Sequence, residues 1–249
     1  MKEEVDIQWL DEGDSTNNEA LRNISGIDNL SVLAALHQTS GRGQRGNSWS
    51  ARPGENLTFS LVMKFGDGAY PPLKASRQFP ISRSVTLGVL DYLEYEGIVA
   101  TVKWPNDIYW HDKKIACILI ENVLSGSTFS RAIIGMGLNI NQKNFYSDAP
   151  NPVSLYQITG RTYNIEKILD EFTEAFGKRY TDTFTNSSDR IHKEYIAALY
   201  RNDGVYPFYS DGNIFHASIA DVELDGHLLL STESGEKKRF AFKEVSFLL

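Results

Sequence analysis

Two short stretches of this chain hold more chemistry than local folding asks of them. The first, residues 37–49 (HQTSGRGQRGNSW), sets Gly41, Gly43 and Gly46 around Arg42 and Arg45 directly after the apolar run 32–36. Glycines let backbone amides approach a ligand closely, and arginines offer forked donors to phosphate or carboxylate oxygens. The spacing matches the G-x-G-x-x-G of a dinucleotide turn, yet residues 47–55 (NSWSARPGE) show no helical period to follow it. A phosphate-binding P-loop fails as well, because Asn47 stands where its lysine must be. What remains is a glycine-rich loop between two strands that carries its own cations. The second stretch is Lys103-Trp104-Pro105-Asn106-Asp107, followed eleven residues after Lys103 by Lys114. A lysine that closes an apolar strand normally snorkels to solvent. Beside an anion-holding loop it could instead neutralise the charge that builds when an acyl group is activated by phosphate. Either lysine alone would read as surface charge.

The elements that must position these groups follow from periodicity. Residues 5–10 predict a strand. Thr16 with Glu19 three residues on reads as a capping box, so Ser15 and Thr16 either cap a helix or offer hydroxyls to a polar ligand at its N-terminus. Residues 57–64 predict a strand, and Ile81, Val85, Val89 and Leu93 predict a helix over 81–94 that Gly97 ends. The β-rich segment 98–104 precedes a hairpin, with 108–110 and 115–121 flanking His111-Asp112-Lys113. Gly135 and Gly137 interrupt the apolar run 132–140, as when something packs closely on a buried strand. Residues 144–152 read as a polar loop, 164–180 as a helix, and Ile191, Tyr195 and Leu199 mark another. From Tyr206 the helical period ends, and Asp211-Gly212, Asp225-Gly226 and Ser234-Gly235 separate short strands. The pattern predicts an α/β domain over 1–200 and a small β-barrel over 201–249.

Composition bounds the possibilities. A chain of 249 residues can bury a sizeable core, and its net charge of −7 disfavours a general nucleic-acid binder while suiting a local basic pocket for small anions. The lone Cys117 permits no internal disulfide, and no segment has the length and apolarity of a membrane span or signal peptide. A cytoplasmic location is the expectation.

Five segments together are specific. DSTN at 14–17, HQTSGRGQRGNSW at 37–49, KWPND at 103–107, KKIACILIE at 113–121 and IGMGLNIN at 134–141 occur in the order and spacing of bacterial biotin protein ligases. The chain resembles that family over nearly its whole length, in the monofunctional form without an N-terminal DNA-binding domain. The resemblance implies an α+β fold: a mixed central β-sheet with flanking helices, shared with lipoate ligases and class II aminoacyl-tRNA synthetases, plus a C-terminal SH3-like β-barrel. It implies that biotin and ATP give biotinoyl-AMP and pyrophosphate, with magnesium accompanying ATP, and that the acyl group then passes to a lysine of a carboxylase's biotin carrier domain. Neither a nucleic-acid nor a membrane partner is implied, and family members include monomers and homodimers.

Residue by residue, the resemblance assigns biotin to Ser15, Thr16, Asn17, Gln38, Gly41, Arg42, Gly43, Gln44, Lys114 and Cys117. It assigns ATP to Arg42, Arg45, Trp49, Lys103, Asn106 and Asn139. The catalytic candidates are Lys114, Arg42 and Asp107, the last as the group that orients or deprotonates the acceptor lysine. No metal ligands are readable. Two positions depart from the pattern: Gln44 stands where many members have a further arginine, and Cys117 replaces a common glycine. A lipoate or octanoate ligase on the same scaffold is one alternative. A non-catalytic biotin-binding relative is another.

Overall fold

The computed structural model describes residues 5–66, 70–146, 151–184 and 188–248. Its larger layer is an eight-stranded sheet of β1 (Ile7–Gly13), β2 (Val32–Gln38), β3 (Leu57–Lys64), β4 (Leu73–Lys74), β5 (Thr101–Lys103), β6 (Asp107–Trp110), β7 (Lys113–Ser125) and β8 (Thr128–Leu138). The order is β1-β2-β3-β8-β7-β6-β5, with β4 paired to β8. β1 and β2 run parallel and the other pairings are antiparallel, so the sheet is mixed as expected.

The helices are α1 (Thr16–Arg22), α2 (Phe79–Tyr95), α3 (Leu155–Thr159), α4 (Ile165–Phe184) and α5 (Ser188–Ala197). They divide between the two faces of the sheet. Side chains alternate along a strand, so Leu33, Val62 and Ile133 point one way and meet Ala20 of α1 in a small apolar cluster. Their neighbours Val32, Leu61, Ala132 and Ile134 point the other way into the main core, with Phe172 and Phe176 of α4 and Ile81 and Val85 of α2. Coverage on both faces explains why β3 is buried from Leu57 through Met63 and reads as a largely apolar run. Fully burying a side chain such as Phe59 or Ile81 is worth about 1.5–3 kcal/mol.

The C-terminal strands β9 (Tyr206–Ser210), β10 (Asn213–Val222), β11 (Leu228–Thr232), β12 (Lys237–Phe240) and β13 (Ser246–Phe247) form an antiparallel sheet ordered β12-β11-β10-β9-β13. This agrees with the small barrel expected. Asp211 and Gly212 both have positive φ, 50° and 81°, as a two-residue hairpin turn requires. The second sheet begins at Tyr206, but the core is continuous across the two parts: Phe208, Ala217 and Leu228 belong to the same cluster as Ile81 and Phe172. The division at 200/201 therefore stands as a proposal.

Several expectations need correction. The capping box at Thr16 is not formed. The N-cap is Ser15, whose side chain makes no cap bond, and Glu19 pairs with Arg22 instead. The β-rich segment 98–104 contracts to β5, because Ile98 accepts its place in the turn after α2 by donating to the Leu93 carbonyl. The strand expected over 132–140 begins earlier, at Thr128, and the short α3 and β4 were not expected. The predicted loop at 144–152 lies partly outside the described residues. No helix among those described is long and apolar enough to cross a membrane.

Candidate active site

The glycine loop folds back on itself. Trp49 donates to the Gly41 carbonyl at 2.9 Å and Gly43 donates to Asn47 at 2.7 Å, bringing Arg42 and Ser48 into an isolated bridge. A Cβ on Gly41 would lie 2.3 Å from the Trp49 carbonyl oxygen, so only glycine closes the loop this tightly. The returning indole of Trp49 lands on β8, where a Cβ on Gly137 would come within 2.2 Å of its ring. Two residues earlier, a Cβ on Gly135 would meet the Asn17 side chain at 2.2 Å. Both glycines of the apolar run are therefore clearances for site residues.

Between them lies a narrow pocket of about 20 Å³, lined by Ser15, Thr16, Asn17, Gln38, Arg42, Trp49 and Cys117 among others. The Gln38 side-chain carbonyl accepts the Thr16 amide at 2.7 Å, and the Ser60 hydroxyl lies 2.7 Å from Thr16 Oγ1 and 2.6 Å from Asn17 Oδ1. Glu121 ties the pocket's rim together. It accepts from Asn17 at 2.8 Å and from both terminal nitrogens of Arg42, at 2.8 and 3.1 Å, while Arg42 also donates to Asn18. Cys117, Leu119 and Glu121 alternate along β7, which puts all three on the α1 face with this pocket.

Trp49 and Cys117 also line a second, much larger cleft of about 860 Å³, so the two spaces adjoin. Its walls carry Gly43, Gln44, Lys103, Asn106, Asp107, Lys114 and Asn139, and, from the C-terminal part, Phe242, Lys243 and Phe247. Lys114 Nζ lies 2.7 Å from Asp107 Oδ1. Burial by itself would lower the Lys114 pKa, but the Asp107 carboxylate outweighs it and holds the group above its ordinary value. Lys103 donates to the Tyr109 hydroxyl instead, and burial depresses its pKa despite the charge of Asp107 nearby. Burial likewise pushes the Cys117 thiol up to about 11, against the opposing pull of Lys114. Asn106 donates to the Ile118 carbonyl at 2.5 Å, and Asn139, 3% exposed, donates to the Val153 carbonyl at 3.1 Å and reaches Lys114 O at 3.5 Å. Asn139 thus fixes the strand that bears Lys114.

The expected site residues divide between the two spaces. Ser15, Thr16, Asn17, Gln38 and Arg42 gather at the narrow pocket, and Lys103, Asn106, Asp107, Lys114 and Asn139 at the cleft. Gly41 contributes through the backbone contact with Trp49, and the side chain of Arg45 lies outside the described residues. Cys117 faces the pocket rather than serving only as core filler. Gln44 lines the cleft with its side-chain oxygen buried and unpaired. Sequence reasoning missed Ser60, Glu121 and the C-terminal wall. Ser60 carried a signal, one of two hydroxyls inside the otherwise apolar run of LTFSLVMK, whereas nothing local to Phe247 points to a site 140 residues earlier in the chain.

A family model described as the biotin/lipoate A/B protein ligase family matches residues 10–139, more than half of the chain. The chain belongs to this family. Among its curated relatives, the bifunctional ligase/repressor BirA of Bacillus subtilis is 28% identical over 216 residues, 84% of this chain and 64% of that protein. The biotin–[acetyl-CoA-carboxylase] ligase of Paracoccus denitrificans is 29% identical over 194 residues, covering 76% of this chain and 78% of that one. The chain thus spans less than two thirds of the Bacillus protein. A solved structure, biotin protein ligase from Aquifex aeolicus in complex with biotin and ATP, superposes with a TM-score of 0.78 over 97% of both chains at 23% identity, which shows a shared ligase-family fold.

Proposed function

We propose that this chain is an ATP-dependent biotin–protein ligase. The observation that carries the reading is the junction of the two spaces: a hydroxyl- and amide-lined pocket opens past Trp49 and Cys117 into a cleft that holds the Lys114–Asp107 pair. A carboxylic acid whose polar ring is held by Ser15, Thr16, Asn17 and Gln38 would extend its carboxylate toward Lys114, where a nucleotide in the cleft meets it. The names of the relatives, and the Aquifex protein's complex with biotin and ATP, support biotin and ATP as the pair.

In the first step a biotin carboxylate oxygen attacks the α-phosphorus of ATP and pyrophosphate leaves, giving biotinoyl-AMP. Two anions must come together, and cations fixed in advance lower that barrier. Lys114 takes the carboxylate and α-phosphate side, Arg42 the rim of the biotin pocket, and Lys103, Asn106 and Trp49 the nucleotide. In the second step the neutral amine of a carrier-domain lysine attacks the acyl carbonyl and AMP leaves. Asp107 is the group to orient that amine or take its proton, once Lys114 turns to the mixed anhydride. Asp107 is the only carboxylate among the described residues that line the cleft. Since Lys114 already holds it, magnesium would arrive with ATP, bound chiefly by phosphate oxygens and water.

Two measurements test these roles. Biotin-dependent pyrophosphate release should occur in the wild type and fall by at least about a hundredfold in Lys114→Ala, the scale of losing one preorganised electrostatic contact. Release without biotin, or release unaffected by the substitution, would defeat the reading. For Asp107→Asn, transfer from preformed adenylate to an apo carrier domain should slow, and an unchanged transfer rate would remove Asp107 from the second step.

A further inference from the structure

Lys103 is held between rings drawn from both parts of the molecule. Its Nζ lies 4.7 Å from the ring centroid of Tyr109 on β6 and 5.7 Å from that of Phe247 on β13, and it donates to the Tyr109 hydroxyl at 3.2 Å. Tyr109, 2% exposed, packs 5.4 Å from Tyr200, which in turn lies 6.2 Å from Phe247. Two rings thus face a single ammonium, and Tyr200 packs against both of them. Phe247 has its own anchorage: its ring sits 5.0 Å from Phe208 in the barrel, and Arg201 donates to the carbonyl of the adjoining Leu248.

A phenylalanine needed only for barrel packing would have no reason to form the cleft wall, yet Phe247 lines the cleft as well as packing on Phe208. An ammonium is attracted to ring faces, the more so when it has lost water. Lysine has a flexible four-carbon stem, and fixing it in advance spares the ordering cost when a polyanion arrives. Tyr109 alone could hold the charge near the sheet; Phe247 adds a second ring, supplied from the C-terminal part.

We propose that Phe247, supplied by the C-terminal part, is a positioning residue that holds the Lys103 ammonium toward the polyphosphate of a nucleoside triphosphate. The proposal rests on the ligase reading of the cleft. On it, the C-terminal strand takes part in adenylate formation through Lys103 without itself touching the reacting atoms.

The test uses the full chain with Phe247→Leu, which keeps apolar volume in the barrel, and Phe247→Tyr, which keeps the ring. In biotin-dependent ATP–pyrophosphate exchange, F247L should lose roughly 3- to 30-fold in kcat/KM for ATP, the range of a partly desolvated cation–π contact, while KM for biotin changes by less than about twofold. F247Y should restore the wild-type ATP values. In protein labelled with 13C-lysine, the Lys103 ε-CH2 signal (assigned by its loss in Lys103→Arg) should be displaced upfield by the rings in the wild type and F247Y, and move back in F247L. A purely structural Phe247 predicts the opposite: F247L would match the wild type in ATP kinetics and in the Lys103 signal, and that result would overturn the proposal. Wild-type protein without biotin-dependent exchange would overturn the ligase reading and this role with it, whereas an active wild type with an unaltered F247L removes the role alone.

Discussion

Lys103 carries a folding cost that the cleft accounts for. Burial lowers its pKa below the ordinary 10.5, so the charged form is less favourable folded than unfolded. At pH values below its folded pKa the group is protonated in both states and that cost is present in full. As pH rises from there toward 10.5, the folded state sheds the proton while the unfolded state keeps it, and the cost is relieved. Lys103→Met should therefore raise the Tm at neutral pH, and the gain should shrink in melts taken toward pH 10.5, while ATP-dependent chemistry is lost. Cys117 gives a second prediction at this scale. With its pKa moved from 9.0 to about 11, its thiolate fraction at pH 8 falls roughly a hundredfold. Alkylation followed by mass should be slower than for a model thiol by about that factor, and biotin should slow it further; alkylation at the model rate would contradict the buried placement. Residue types in the two opening stretches were legible because glycine, arginine and lysine at those spacings exceed what turns require. Glu121 was not, because its role as the clamp on Arg42 arises only when β7 passes the loop, 79 residues away in sequence.

Elements explain which of the local readings survived. Strands covered on both faces, such as β3, announce themselves by largely apolar runs, and α2 and α4 by their 3.6-residue period. The start of α1 departs from the expected cap because the Thr16 hydroxyl meets Ser60 of β3, while Glu19 pairs with Arg22 one turn along the same helix. The Ser15–Asn17 turn lines the pocket. The glycines of β8 were legible as points of close approach, though not as clearances for Asn17 and Trp49, since both contacts join distant segments. Gly137→Ala would drive a methyl into the Trp49 indole, so a loss of about 1–3 kcal/mol in thermal or urea melts is expected, together with weaker biotin binding. Full biotin affinity in that variant would remove Trp49 from the pocket wall.

At the scale of the molecule, the two parts are joined through α2. Arg83, 4% exposed, donates to the Val222 carbonyl at 2.6 Å and lies 5.5 Å from the Phe79 ring and 5.9 Å from that of Tyr195; Phe79 donates to Leu224, and the Trp104 indole donates to Gly226. Arg83→Leu leaves a buried carbonyl unpaired, which should cost about 1–3 kcal/mol. Because the core is continuous, that loss should lower a single unfolding transition; a separate early transition of the C-terminal strands would contradict the continuity. The central claim concerns the reaction, and intact mass tests it most directly. An apo biotin-carrier domain is incubated with the protein, ATP and magnesium, and with biotin, lipoate or octanoate in parallel. The account predicts a mass gain of one biotinoyl group with biotin alone, absent when Lys114→Ala replaces the wild type. A gain with lipoate or octanoate in place of biotin, or none with any of the three, would contradict it.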